Sequence, residues 1–326
     1  MPRWLLALLL STLLPAWPAV AALPVFVELT GGANPLAGVD AGKFSAAGLG
    51  DLDGDRDLDL VAGNQDGTLL YFENTGGAAS PAFTEQSGSA SPLDGLSVID
   101  GFSTPALVDL DGDGDLDLVV GAHTSGFHYF ENTGTPSAAI FVERTGAANR
   151  LGGLAPGEVP EPAFADLDGD GDLDLVAGTA DGTFHYFENT GTRELPSFVE
   201  RTGAANPFDG LAISAYSTAS LADVDGDGDL DLVSGAPDGS FHYFENTGTP
   251  QMPAFSEQTG TANPLDGLAA GAFSTGSFAN LYGDPVPAVV AGMGSGGFAV
   301  FRAPEPDPML EGVAAALALL ALGRRR

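Results

Sequence analysis

The sequence predicts an all-β protein, a β-propeller of five four-stranded blades of about 57 residues each, closed by the N-terminal strand pairing in the last blade. Three observations carry that expectation. An aspartate-rich loop recurs at a fixed step, four strand-like segments separated by turn signals fill each step, and the chain opens with the strand type that its last repeat lacks.

The loop is clearest in DLDGDGDLDLVVG, Asp109 to Gly121, and begins again at Asp51, Asp166 and Asp223, giving spacings of 58, 57 and 57 residues. One further step lands on Asn280, where NLYGDPVPA keeps the frame and has lost most of the acids. Carboxylates this close repel one another, so such a loop needs a counter-charge among them. A hard divalent cation meets that need, and Ca2+ takes about six to eight oxygen ligands in a flexible arrangement. Asp109, Asp111 and Asp113 fill the first, third and fifth ligand positions, Gly114 the sixth, Asp115 the seventh through its carbonyl, and Asp117 the ninth. The same frame assigns Asp51, Asp53, Asp55, Asp57 and Asp59 in the first copy. It assigns Asp166, Asp168, Asp170, Asp172 and Asp174 in the third, and Asp223, Asp225, Asp227, Asp229 and Asp231 in the fourth. An EF-hand would add a glutamate at the twelfth position and a helix on each side. Here the twelfth residue is Val120 and the flanks PALVDL and LDLVVGAH are apolar and β-branched, which predicts a metal loop inside a β-hairpin. Arg56 replaces a glycine at a position that favours positive φ, so the first loop is expected to be the weakest of four sites. The fifth copy, with Tyr282 and Ala288 at ligand positions, is expected to bind nothing.

The strands follow from the segments between loops. In the third copy they are EPAFADL, LDLVAGTA, TFHYFENT and PSFVERTG. Phe26, Phe83, Phe141, Phe198 and Phe255 each open an F-x-E segment, and YFENTG ends at Gly76, Gly134, Gly191 and Gly248, with FAVFRAP in its place in the last copy. Each strand type occurs five times only if the two chain ends share a blade, so residues 24 to 30 are expected to complete the blade formed by residues 274 to 302.

The loops together with GTFHYFENTG and PSFVERTG resemble the FG-GAP or VCBS repeats of integrin-like bacterial propellers, over residues 24 to 302. Relatives of that kind usually close with seven blades. Either five blades close in one chain or two chains combine, and the shared last blade favours a monomeric ring.

Composition narrows the partners. The chain has no cysteine and a net charge of −33, and the four loops supply 20 of its 44 acidic residues. Nucleic acid and anionic membrane are excluded as partners, since both require Lys and Arg against phosphate. Residues 1–21 have the form of a secretory signal, with Arg3, an apolar run, and small residues at Ala19 and Ala21. Export suits calcium loops with Kd of roughly 10⁻⁴ to 10⁻³ M, which fill outside the cell. Residues 22–303 then form the propeller, and 304–326 a tail with Pro304-Glu305-Pro306, an apolar segment and Arg324 to Arg326. The tail resembles the PEP-CTERM sorting signal of Gram-negative bacteria, read by an exosortase. That resemblance implies removal of the tail, delivery to the cell surface or matrix, and only a transient contact with the membrane.

The expected function is a calcium-stabilised surface or matrix module that binds a glycan or a surface protein. Near-identical blades present near-identical grooves, so a repeated weak site gains from multivalency. His128, His185 and His242 share one repeat position, too far apart for a common metal, and are expected to pack on their strands. His123 has no evident partner. The clearest break in the repeat is APGEVPEPA, where Glu158 and Glu161 are read as drift in a loop. No nucleophile, zincin or phosphate-loop motif is present, and the chain is expected not to be an enzyme. An extracellular glycoside hydrolase or lyase, with carboxylates across a central pocket, and a purely structural surface protein are the alternatives.

Overall fold

Burial decides which segments become which strands. The second strand of each repeat, DLVAG, DLVVGA, DLVAG, DLVSG or AVVAG, is buried at every residue. A strand covered on both faces reads as a continuous apolar run and not as an alternation. The third strand, LLYFEN or FHYFEN, is largely buried with half-buried side chains interspersed, and the fourth, such as FTEQ, faces water along most of its length.

The computed structural model describes residues 23–77, 80–124 and 126–303; the expected signal segment at 1–21 and the sorting tail at 304–326 lie outside the described residues. Strand β1 (Val27–Leu29) comes first in the chain. Blade one holds β2 (Ala46–Gly50), β3 (Asp59–Gly63), β4 (Leu69–Asn74) and β5 (Phe83–Gln86). Blade two holds β6 (Thr104–Val108), β7 (Asp117–Ala122), β8 (Gly126–Asn132) and β9 (Phe141–Arg144). Blade three holds β10 (Glu161–Ala165), β11 (Asp174–Gly178), β12 (Phe184–Asn189) and β13 (Phe198–Arg201). Blade four holds β14 (Ser220–Ala222), β15 (Asp231–Gly235), β16 (Phe241–Asn246) and β17 (Phe255–Gln258). Blade five holds β18 (Thr275–Ala279), β19 (Ala288–Gly292) and β20 (Phe298–Arg302), and β1 completes it in the order β1-β20-β19-β18. All neighbouring strands are antiparallel, and the closing register sets Val27 against Arg302 and Leu29 against Val300. The five-bladed all-β propeller and its shared last blade are therefore as the sequence predicts.

The innermost strands β2, β6, β10, β14 and β18 follow one another around the ring and return to β2. Among the described residues the apolar core is divided between blades. Five apolar clusters lie between successive blades, each drawing on both neighbours; Leu60, Ala62 and Phe72 of blade one meet Val290, Phe298 and Val300 of blade five across the closure. Gly63, Gly121, Gly178, Gly235 and Gly292 stand at or next to the ends of the second strands, where the next blade passes directly over them. A β-carbon at these glycines would collide with the carbonyl oxygens of Ser103, Pro160, Ser217, Ser274 and Ser45. The last pair joins blade five to blade one. There Ser45 Oγ donates to the Gly297 carbonyl at 2.8 Å and accepts from the Met293 N–H at 2.9 Å.

Candidate metal centres

Each aspartate loop joins an innermost strand to the second strand of its blade, so all four lie at one end of the ring, the C-terminal end of β2, β6, β10 and β14. The first aspartate shapes the loop. Asp51 Oδ1 accepts from the Gly54 N–H at 2.7 Å and its Oδ2 from the Arg56 N–H at 3.0 Å. Asp166 and Asp223 hold Gly169 with Gly171, and Gly226 with Gly228, in the same way. The sixth position is left-handed in all four acidic loops, with φ of 99°, 98° and 99° at Gly114, Gly171 and Gly228 and 79° at Arg56. A non-glycine residue there is strained.

The carboxylates converge. Oxygens of Asp51, Asp53 and Asp59 lie within 4.8 Å of one another, as do those of Asp109, Asp111 and Asp113, of Asp166, Asp168 and Asp170, and of Asp223, Asp225 and Asp231. The fifth-position Asp55 and Asp227 and the ninth-position Asp117 and Asp174 fall outside these groups, whereas the ninth-position Asp59 and Asp231 belong to them. Asp117 accepts from the Asn132 N–H at 2.7 Å, the Tyr129 hydroxyl at 2.9 Å and the Leu110 N–H at 3.2 Å. Asp59, Asp174 and Asp231 are held by the same three kinds of donor, with Tyr71, Tyr186 and Tyr243 as the phenols. The ninth aspartate thus ties the loop to the third strand, a role besides the ligand position expected of it.

In the first three loops the seventh position has a further donor besides its carbonyl. Asp57, Asp115 and Asp172 are buried, and Oδ1 of each has no hydrogen-bond partner, as is also true of Asp109 Oδ1. A buried, unpartnered carboxylate oxygen is costly unless something positive meets it. The acidities agree. Burial, followed by the neighbouring fifth-position carboxylate, pushes Asp57, Asp115 and Asp172 up to about 6. Burial raises Asp59, Asp174 and Asp231 to about 6 and Asp117 to about 7, although three hydrogen bonds on each pull the other way. An all-oxygen set of this density fits a hard divalent cation.

Blade five carries the same logic with a different charge. The ninth aspartate, the phenol and the asparagine are replaced together, by Ala288, Val300 and Ala303. The one remaining buried acid, Asp284, is met by Arg302, whose Nη2 donates to Oδ1 at 2.9 Å while the guanidinium lies 4.3 Å from the centre of the Tyr282 ring. In this blade, whose loop is predicted not to bind metal, a guanidinium supplies the positive charge that meets the remaining carboxylate. Blade two combines both devices: Arg193, from the outer hairpin of blade three, sits 2.6 Å from Asp109 Oδ2. In blades one and three the equivalent contacts of the neighbouring hairpin, on Gly54 and Gly169, are made by the uncharged Ser137 and Gln251.

The histidines are not simple packing residues. His128, His185 and His242 stack on Phe130, Phe187 and Phe244, and each Nδ1 lies 2.7 to 2.9 Å from a glutamate of the outermost strand, Glu143, Glu200 or Glu257. In blade three the pair borders a cavity of about 290 Å3 at the blade's outer edge, also lined by Arg201, Asn206, Phe208 and Asp209. His123 does have a partner, the Phe102 ring, at 5.4 Å between centroids. Glu161 does not lie in a drifting loop: it opens β10 and lines the central channel.

The FG-GAP-like repeat matches the chain three times, over residues 51–120, 109–177 and 166–234. No curated protein sequence matches. Among solved structures, one described as an exo-β-1,3-galactanase of Bifidobacterium bifidum s17 is 12% identical with a TM-score of 0.46, covering 78% of this chain and 86% of that one. An Agrocybe aegerita lectin that recognises non-reducing terminal N-acetylglucosamine is 17% identical with a TM-score of 0.41, covering 84% and 72%. A thermostable family-43 glycoside hydrolase is 10% identical with a TM-score of 0.45, covering 78% and 88%. With two glycoside hydrolases among these, the expectation of a non-enzymatic chain is withdrawn; at such scores the likenesses assign no reaction or ligand. The matched repeats span more than half of the sequence and each contains the aspartate loop and strands described above, so the chain belongs to the FG-GAP-like repeat family.

Proposed function

We propose that the protein is an exported propeller whose four aspartate loops hold Ca2+ and whose outer blade edges bind a glycan or surface protein through a repeated site. The observation that carries this reading is the repetition of the His–Glu pair at 2.8, 2.9 and 2.7 Å in three consecutive blades. In blade three that pair stands beside an open cavity edged by an asparagine, an aspartate and an arginine. Cavities of this kind, with an apolar wall and a few placed polar groups, are the usual form of a small-ligand site. Three copies on a rigid ring turn a weak contact into a tighter multivalent one.

The assignment of Ca2+ is supported by the all-oxygen donors and the unpartnered Oδ1 atoms of Asp57, Asp109, Asp115 and Asp172. The ion would neutralise the crowded carboxylates and brace each blade against the hairpin of the next. Residues 1–21 would direct export and residues 304–326 would hold the chain at the surface of a Gram-negative cell until processed.

A screen of the propeller against glycans and surface extracts, with Ca2+ and with chelator, tests the reading. Retention that needs Ca2+ and is lost in the triple variant His128→Ala, His185→Ala, His242→Ala supports it. Retention unchanged by that variant contradicts the repeated site. The same samples are followed for new reducing ends, which reads out hydrolysis directly.

A further inference from the structure

Two residues before Ala46, Thr104 and Glu161, which open β2, β6 and β10, before the equivalent Thr218 ahead of β14, and before Thr275, which opens β18, stand Phe44, Phe102, Val159, Tyr216 and Phe273, at the end of the ring opposite the aspartate loops. All five have left-handed backbones, with φ of 54°, 49°, 49°, 49° and 57°. Glycine adopts that conformation without strain and bulky side chains do not. Large side chains are therefore kept here against a local cost, and such strain concentrates at functional sites. Four of them form an arc of rings: Phe102 to Phe44 at 5.7 Å, Phe44 to Phe273 at 4.9 Å, and Phe273 to Tyr216 at 5.7 Å.

Blade three breaks this pattern at three consecutive positions. The other blades read Phe-Ser-Ala, Phe-Ser-Thr, Tyr-Ser-Thr and Phe-Ser-Thr, whereas residues 159–161 are Val-Pro-Glu. Val159 leaves the arc of rings open, and Glu161 places a carboxylate directly behind the gap. Glu161 lines both the cavity of about 50 Å3 between the rings and the channel space of about 160 Å3 beneath it. Its carboxylate has no hydrogen-bond or ion-pair partner among the described residues, and burial alone pushes it up to about 8. Neighbouring hydroxyls are already engaged: Ser103 Oγ donates to the Thr68 carbonyl at 2.8 Å, Thr104 Oγ1 to that of Pro160 at 2.7 Å, and Ser217 Oγ to that of Thr183 at 2.6 Å.

The mouth thus offers aromatic rings, one carboxylate and few free hydrogen-bonding groups. A sugar would leave its hydroxyls without partners there. An alkylated ammonium needs none, is attracted to aromatic rings, and supplies the charge that the carboxylate lacks. The ring-lined cavity of about 50 Å3 is smaller than the roughly 150 Å3 that accepts a benzene-sized molecule, so the ligand extends from the rings into the adjoining channel space of about 160 Å3, with which that cavity shares Ala46, Thr104 and Glu161. The net charge of −33 adds a field that draws cations toward the ring. We propose that this mouth of the central channel is a binding site for a small alkylated ammonium, held by Phe44, Phe102, Tyr216 and Phe273 with Glu161 as its counter-charge. The site is separate from the outer-edge grooves and from the metal loops.

Calorimetric titration of the calcium-loaded full chain at about pH 9, above the value of about 8 to which burial raises Glu161, tests it, with choline and its uncharged isostere 3,3-dimethylbutan-1-ol as probes, in about 0.15 M salt to screen surface carboxylates. Choline is expected to bind one-to-one and at least about tenfold more tightly than the alcohol. Glu161→Gln should remove most of that difference while the melting temperature stays the same or rises, because a desolvated acid is replaced by a neutral group. Phe273→Leu should weaken choline while retaining the apolar volume. No saturable choline binding, equal binding of the two probes, or a preference for choline that survives Glu161→Gln would overturn the proposal and leave the rings as a plug of the channel.

Discussion

Without a bound divalent cation, the propeller should be more stable in mild acid than at neutral pH. The ninth-position carboxyls are raised by burial from 3.8 to about 6 at Asp59, Asp174 and Asp231 and to about 7 at Asp117. A carboxyl whose folded value lies above its unfolded value stabilises the fold when protonated, and that contribution is lost as pH rises through the folded value. From pH 5 to pH 7.5 a carboxyl at about 6 gives up roughly 1.4 kcal/mol and one at about 7 roughly 2.7 kcal/mol, so the four sum to roughly 7 kcal/mol. For a domain of this size each kcal/mol moves the melting temperature by roughly 2 °C or more. Calorimetric melting in chelator should therefore give a Tm more than about 10 °C higher at pH 5 than at pH 7.5. Millimolar CaCl2 should abolish or reverse that order, and matched NaCl should not. A calcium-free Tm at pH 7.5 equal to or above that at pH 5 would refute the view that buried, uncompensated carboxylates dominate the empty loops.

Other outcomes follow from single contacts. Arg193→Ala frees Asp109, its partner at 2.6 Å, and should tighten the second loop's hold on Ca2+ several-fold in a titration; Asp113→Ala should remove one site of four from the same titration. Arg302→Met leaves Asp284 buried without its partner and should cost about 3–5 kcal/mol equally with and without Ca2+, measured by denaturant unfolding. Phe26→Ala removes the buried anchor beside the closing strand, 4% exposed, and should cost about 3–5 kcal/mol in the same assay.

Much of this was legible because the repeat is so regular. Counting the F-x-E and YFENTG segments was enough to place residues 24 to 30 in the last blade, where β1 pairs with β20. The aspartate loop was legible as a cluster, since alternate acids bring carboxylates together whatever surrounds them. The partners of the ninth aspartate were less so. Tyr129 and Asn132 lie in the YFENTG segment and look like ordinary strand residues until the hairpin folds them back on Asp117. Their joint loss in blade five, as Ala288, Val300 and Ala303, is the signal that linked them. Glu161 was misread because APGEVPEPA, with its prolines, reads as a loop; tertiary pairing with Gly178 makes Glu161 the first residue of a strand. The ring of Phe44, Phe102, Tyr216 and Phe273 keeps the same step as the loops, yet its left-handed backbone is a tertiary property that aromatic residues do not announce.

The account rests most directly on the cations. Anomalous diffraction from crystals of the propeller grown in CaCl2 would locate them without reference to stability. Four peaks are predicted, one within the cluster beginning at each of Asp51, Asp109, Asp166 and Asp223, with none in blade five where Arg302 meets Asp284. Four bare loops, or a peak between Asn280 and Ala288, would contradict it.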